Sequence, residues 1–177
     1  MAEIEVHHGS GHGEGDDPLA KRVGLAVGII GVALAVVTIA GHREHTIAVI
    51  ERTKSNDQWA YYQAKKIREH SAQIGASLLA ALAPDPAKVA AASAKFTQDS
   101  EKYAKDAEGI QEIARDRDKE SQHAEYRAVR FDLGEGFLEL GLVMSSLYFM
   151  SKRRFFVALG SVASLIGTII GVAGLLA

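Results

Sequence analysis

The chain has 177 residues, a net charge of −2 and no cysteine. That length bounds it to one domain, or to one domain with membrane anchors. The lack of cysteine excludes disulfides, thiolate metal sites and cysteine nucleophiles, and no basic face with interleaved aromatics marks a nucleic-acid binder.

The near-neutral hydropathy is a mixture of two populations. Residues 25–41 and 155–177 hold no Lys, Arg, Asp or Glu, and nearly all the charge lies outside them. The first predicted element, 1–20, is a Gly/His/acidic tail with little to bury, which reads as disordered. His7, His8 and His12 could meet a divalent ion there, but ligands on a flexible tail must be ordered on binding. No metal and no cofactor is expected.

Residues 21–41 read as a first transmembrane helix. From Val23 the run holds about 19 apolar residues, enough to cross roughly 30 Å of hydrocarbon. The run is long for the apolar core of a signal peptide and the tail before it is acidic, so an uncleaved anchor is the better reading. Gly24, Gly28 and Gly31, continued by Ala35 and Thr38, form a small-residue stripe of the kind that lets membrane helices approach closely.

Residues 42–132 read as a charged helical hairpin. Pro84-Asp85-Pro86 is its one strong breaker, because proline stops a helix and disfavours helix in the residue before it. A turn at 84–86 leaves two arms of about 42–45 residues, each roughly 65 Å long. Each arm carries a heptad stripe, the mark of a coiled coil. In the first arm it is Thr46, Ile50, Thr53, Asp57, Ala60, Ala64, Ile67, Ser71, Ile74, Leu78 and Ala81. In the second it is Val89, Ser93, Phe96, Ser100, Tyr103, Ala107, Ile110, Ala114, Arg117, Ser121, Ala124, Ala128 and Phe131. Arms folded about Asp85 bring residue i near 170 − i, so the two charged seam positions, Asp57 and Arg117, are expected to pair.

The stretch Asp57-Gln58-Trp59-Ala60-Tyr61-Tyr62-Gln63-Ala64-Lys65 is the most distinctive in the chain. Three aromatics in four positions cannot all face one seam. One reading is local packing plus an exposed tyrosine; the other is a docking patch made of Trp59, Tyr61 and Tyr62, since such residues anchor interfaces. This stretch, placed after a first span, resembles a family of small bacterial membrane proteins known as domain of unknown function 4337. The layout of tail, span, charged helical region and C-terminal spans extends the resemblance over the whole chain. It implies a bacterial membrane location and no catalytic residues.

Residues 133–151 read as a second, weaker span, interrupted by Glu135, Glu139 and three glycines, and 155–177 as a third. Glu139 at membrane depth has two readings. Either the glycines unwind the helix and the carboxylate reaches the headgroups, or it is held inside a helix bundle. The last span repeats the small-residue stripe with Gly160, Ser164, Gly167, Gly171 and Gly174. Lys21/Arg22 and Lys152-Arg153-Arg154 fall on one side of such a three-span topology, the cytoplasmic side by the positive-inside rule. The hairpin and the C-terminus then face outward, across a bacterial inner membrane.

The expected fold is all-α: three transmembrane helices with a long antiparallel helical hairpin between the first and second. No nucleophile–base set or phosphate loop stands out, so an enzyme is not expected. The leading reading is a scaffold or assembly subunit that uses its coiled-coil arm to bind itself or a membrane-protein partner. The alternative is a small ion- or proton-coupled transport component using Glu135 or Glu139. Its partners are the lipid bilayer and a second copy or another membrane protein, not nucleic acid.

Overall fold

The computed structural model describes residues 17–82 and 86–177. The histidine-bearing tail through residue 16 and the turn residues Pro84 and Asp85 lie outside them. Three α-helices and no strand make up the described chain: α1 Pro18–Leu82, α2 Pro86–Ser151 and α3 Arg154–Leu176.

Helix α1 begins earlier than the tail's composition suggests. The expected disordered segment ran to residue 20, yet Pro18, Leu19 and Ala20 are helical. Asp17 is the cause. Its carboxylate accepts the backbone N–H of Leu19 at 3.0 Å and of Ala20 at 3.3 Å, satisfying two donors that a helix start leaves orphaned. Pro18 follows at the one helical position where proline costs nothing, and Pro86 opens α2 in the same way. At the other end of α2, Lys152 sits in the left-handed region (φ 56°) and its N–H bonds Tyr148 O at 2.8 Å. A left-handed residue just past the last turn ends a helix, and α3 starts two residues later.

The chain divides into two compact units. One holds the described residues up to Thr38 together with Phe131–Leu176; the other is Ile39–Arg130.

In the unit Ile39–Arg130, the α1 and α2 segments run antiparallel. Contacts join Ser55 to Ala114, Ala48 to Ser121, Glu44 to Arg127 and Lys65 to Asp106, so facing residues add to about 170, as a fold about Asp85 requires. On α2 the buried face is Ser100, Ala107, Ile110, Ala114, Ser121, Ala124 and Ala128. These all lie on the expected stripe.

On α1 the expected stripe is not the seam. All eleven of its residues, from Thr46 to Ala81, are exposed. The seam instead runs through Gly41, Glu44, Ala48, Glu51, Ser55, Gln58, Tyr62, Lys65, Glu69, Ala72, Ala76 and Leu79, all buried or half-buried, with Ile47, Trp59, Lys66 and Gly75 half-buried at its flanks. The seam positions hold strict 3-4 spacing, two residues out of step with the expected stripe, which is about 200° around the helix. The physical reason is that long charged side chains can lay their stems along a seam and carry their heads to partners at its rim. Glu44, Glu51 and Lys65 all do so here. A seam of Ala and Ser buries little apolar area, at about 0.8 kcal/mol per buried methylene, so hydrogen bonds and ion pairs set its register. Ser55 Oγ donates to Ala114 O at 3.1 Å and Ser121 Oγ to Ala48 O at 2.9 Å. Both bonds require the two backbones to lie close together.

The other unit packs α2 against α3 through glycine. The buried residues of α3 are Gly160, Ala163, Ser164, Gly167, Gly171 and Gly174. The facing stripe on α2 is Phe131, Gly134, Leu138, Gly141, Ser145 and Tyr148, all buried. A Cβ added at Gly160 would meet Gly141 O at 2.7 Å and Ser145 N at 2.8 Å; one added at Gly167 would meet Gly134 O at 2.7 Å and Leu138 N at 2.8 Å. Gly134 and Gly141 therefore serve close helix approach, and α2 runs through them as unbroken helix, not the unwound segment that one reading of Glu139 needed.

Two helices are long and apolar enough to cross a membrane, α1 through its N-terminal part and α3. Only 6% of the apolar window on α1 and 28% of that on α3 is buried. A core helix of a soluble protein would be covered. Here Leu25, Ile29, Val32, Val162, Leu165 and Ile169 stand exposed.

Candidate functional site

The distinctive aromatic stretch builds a small cluster around Lys65. Its ammonium donates to Asp106 Oδ2 at 2.8 Å across the seam, and lies 5.4 Å from the ring centroid of Tyr61 and 5.5 Å from that of Tyr103. Both distances fall within cation–π range. The Asp106 hydrogen bond holds Lys65 above the usual lysine range, and Lys65 holds the Asp106 carboxyl below the usual carboxylate range. Trp59 and Tyr62 meet edge to face, centroids 5.6 Å apart at 87°, and both are half-buried. Of the three expected patch aromatics only Tyr61 stands open, at 51% exposure. The stretch thus serves the seam more than the outer surface. Sequence reading missed Lys65 as its centre because lysine does not score as a seam residue.

A second cluster lies nearer residue 120. Arg117 bonds Glu51 Oε2 at 3.1 Å and Glu120 Oε2 at 2.9 Å. Arg127 bonds Glu44 at 2.7 Å, and Arg52 pairs with Asp118. The expected Asp57–Arg117 pair does not form. Asp57 is exposed on the outer stripe, because the α1 seam is rotated and presents Glu51 to Arg117 instead. Hydrogen bonds that Arg117 donates to Glu120 and then to Glu51 keep its guanidinium firmly charged. Glu51 is held below the usual carboxylate range, first by Lys54 and next by Arg117.

In the other unit, Glu135 and Glu139 part company. Glu135 is half-buried and accepts Thr38 Oγ1 at 2.8 Å, joining α2 to α1. Glu139 is exposed, because the buried face of α2 runs through Gly134, Leu138 and Gly141. The reading that holds Glu139 inside the bundle of one chain is therefore wrong, and Glu135 takes that place. At the far end of the bundle, Tyr148 Oη donates to Asp17 Oδ2 at 3.0 Å. That bond is the main reason the Asp17 carboxyl lies below the usual range.

The helix-packing glycines divide as well. Gly160, Gly167, Gly171 and Gly174 are all in close contact: Gly171 faces Val37 and Gly174 faces the ring of Phe131. Gly24 and Gly31 would place a Cβ 3.9 Å from Phe149 and 3.8 Å from Leu142, which is ordinary contact, and Gly28 has nothing within 4 Å. Gly24 and Gly28 instead line an open apolar groove with Leu25, Ile29, Val32 and Ala33.

In one unit Glu44, Glu51, Arg52 and Lys65 meet charged partners across the seam, and in the other Glu135 meets Thr38 and Asp17 meets Tyr148. That arrangement fixes register between helices.

The family described as Domain of unknown function (DUF4337) matches residues 19–177, and the chain belongs to it. No curated protein and no solved structure matches.

Proposed function

We propose that this family member is a non-catalytic membrane scaffold or assembly subunit that recruits a partner, or itself, through the two-helix arm Ile39–Arg130. One observation carries the reading. Among the described residues the arm is held in register by the cross-seam ion pairs of Arg52, Lys65, Arg117 and Arg127 and by the serine-to-carbonyl bonds of Ser55 and Ser121, and both its segments belong to helices that run on into the apolar unit. Such an arm suits presentation of a surface at a membrane.

In this reading the chain spans a bacterial inner membrane three times. The third span is the C-terminal part of α2, supported by its glycine packing against α3 and by the outward Leu133, Phe137, Leu140 and Val143. Lys21, Arg22 and the Lys152-Arg153-Arg154 link mark the cytoplasmic side.

Two differently tagged copies, expressed together and extracted in mild detergent, test the assembly reading. Co-purification of the tags, weakened by variants in the arm, is expected. Recovery of the tagged chain alone, with no copy and no stoichiometric partner, refutes it. Transport draws support from Glu135, a half-buried carboxylate in the apolar unit. Its engagement with Thr38 favours a structural role, and loss of a proton or ion flux in Glu135→Gln with assembly intact would reverse that preference.

A further inference from the structure

The arm uses only one of two heptad stripes on α1. The second stripe is Thr46, Ile50, Thr53, Asp57, Ala60, Ala64, Ile67, Ser71, Ile74, Leu78 and Ala81, on the face turned away from α2. Ile50 is 46% exposed, Ile67 66%, Ile74 60% and Leu78 52%. We propose that this stripe is a self-association face, covered in parallel orientation by the same stripe of a second copy. The inference rests on the self-associating reading of the arm and names the surface that reading needs.

Four observations point to that occupant. First, 4-3 spacing kept from 46 to 81 fits a second long helix supercoiled along it, and not a compact ligand. Second, the stripe is prepared for burial. Thr46, Thr53 and Ser71 each donate their hydroxyl to the carbonyl four residues back, His42, Val49 and Ile67. They then bring no unsatisfied polar group into an interface. Third, the outer face of α2 is no match. It carries Lys102, Lys105, Glu112, Asp116, Lys119 and His123, all exposed. The apolar counterpart of the α1 stripe within this chain is the same stripe on another copy, the self-complementary contact of a two-fold dimer. Fourth, parallel pairing opposes no like charges at the flanks. The pairs it makes from Val49 onward are Val49 with Lys54, Asn56 with Tyr61, Gln63 with Arg68, His70 with Gly75 and Ser77 with Leu82. Antiparallel pairing centred near residue 61 would set Lys54 against Arg68. Two copies anchored by 21–41 in one orientation already present α1 in the same direction.

The area is sufficient with the tether. A stripe about 53 Å long and roughly 10 Å wide covers about 500 Å² per copy. The pair then buries about 1,000 Å², the lower bound for a specific interface. Confinement to one membrane raises the effective concentration and makes up the difference. Asp57 is the one ionised group on the stripe, and in a parallel pair it meets its own copy. It weakens the contact and fixes its register.

The chain lacks cysteine, so single cysteines placed from 60 to 78 in the full-length protein report contacts directly. Oxidation in membranes is expected to give dimers that peak at Ala60, Ala64, Ile67, Ser71, Ile74 and Leu78 and fall at Lys65, Glu69 and Ala72, which face α2. Asp57→Asn should tighten the dimer by roughly fivefold, the factor a like-charge contact costs in water. Ile67→Glu with Ile74→Glu should abolish it, with helical content unchanged because both positions are exposed. A flat scan, or cross-links to a species of another mass, overturns the proposal. If the tagged copies still co-purify with a flat scan, only this face is wrong. If they do not, the self-associating reading falls as well.

Discussion

Gly160→Ala tests the glycine packing of α2 on α3 most directly. The new Cβ would lie 2.7 Å from Gly141 O and 2.8 Å from Ser145 N, with Ser145 Oγ nearer still. The first two are backbone atoms of a helix and cannot rotate away. Restoring ordinary contact near 3.4 Å requires the helices to part by about 0.7 Å. A gap of that size forfeits a quarter to a half of each dispersion contact along the stripe, and overpacking of this kind costs about 1–3 kcal/mol. Gly136→Ala is the control, since nothing lies within 4 Å of its Cβ position. There the change should be neutral or stabilising by up to about 1 kcal/mol, because alanine loses less entropy than glycine in a helix. Denaturation in mixed micelles, followed by circular dichroism, measures both. Equal stabilities for Gly160→Ala and Gly136→Ala would refute close α2–α3 approach.

Three further outcomes follow from the arm and the basic clusters. In a double-mutant cycle, Glu51→Ala and Arg117→Ala should show a small but measurable coupling, modest because Arg117 is 41% exposed; Asp57→Ala should leave the α1–α2 seam unweakened, and coupling of Asp57 to Arg117 instead would restore the rejected seam. The Lys65–Asp106 contact should stabilise the arm across neutral pH. Asp106 is lowered from 3.8, so its contribution is present above that value and is lost as pH falls below it; Lys65 is raised from 10.5, so its contribution is present below that value and is lost as pH climbs beyond it. A thermal-melting profile in which Asp106→Asn loses none of the acid-side slope contradicts this assignment. Reporter fusions at Pro84 and Ala177 should both read external, and a cytoplasmic signal at Pro84 inverts the proposed topology.

What the sequence made legible, and what it hid, follows from how each element hides its polar groups. The α2 stripe was readable because its seam residues are nearly all Ala, Ser, Ile or Phe, so type and periodicity agree. On α1 two stripes share the 3.5-residue period, and the more apolar one faces outward. Residue type alone chooses it, and the choice is wrong because Glu44, Glu51 and Lys65 have partners on α2 that single-chain periodicity does not display. The missing signal was complementarity. Glu44, Glu51 and Lys65 find Arg127, Arg117 and Asp106, each within two residues of 170 − i, whereas Arg117 lies four residues from the Ile113 that this spacing sets opposite Asp57. The glycines of α2 misled for a related reason. Read alone, Gly134 and Gly141 look like weak points in a helix. Paired with Gly160 and Gly167 they become the surface against which α3 packs. In both cases the partner helix decides the meaning of a residue. The outer α1 stripe has the same standing now, with its hydroxyls satisfied and its isoleucines exposed. On α1 the charged seam already has its partner, so the apolar heptad left over calls for a second helix.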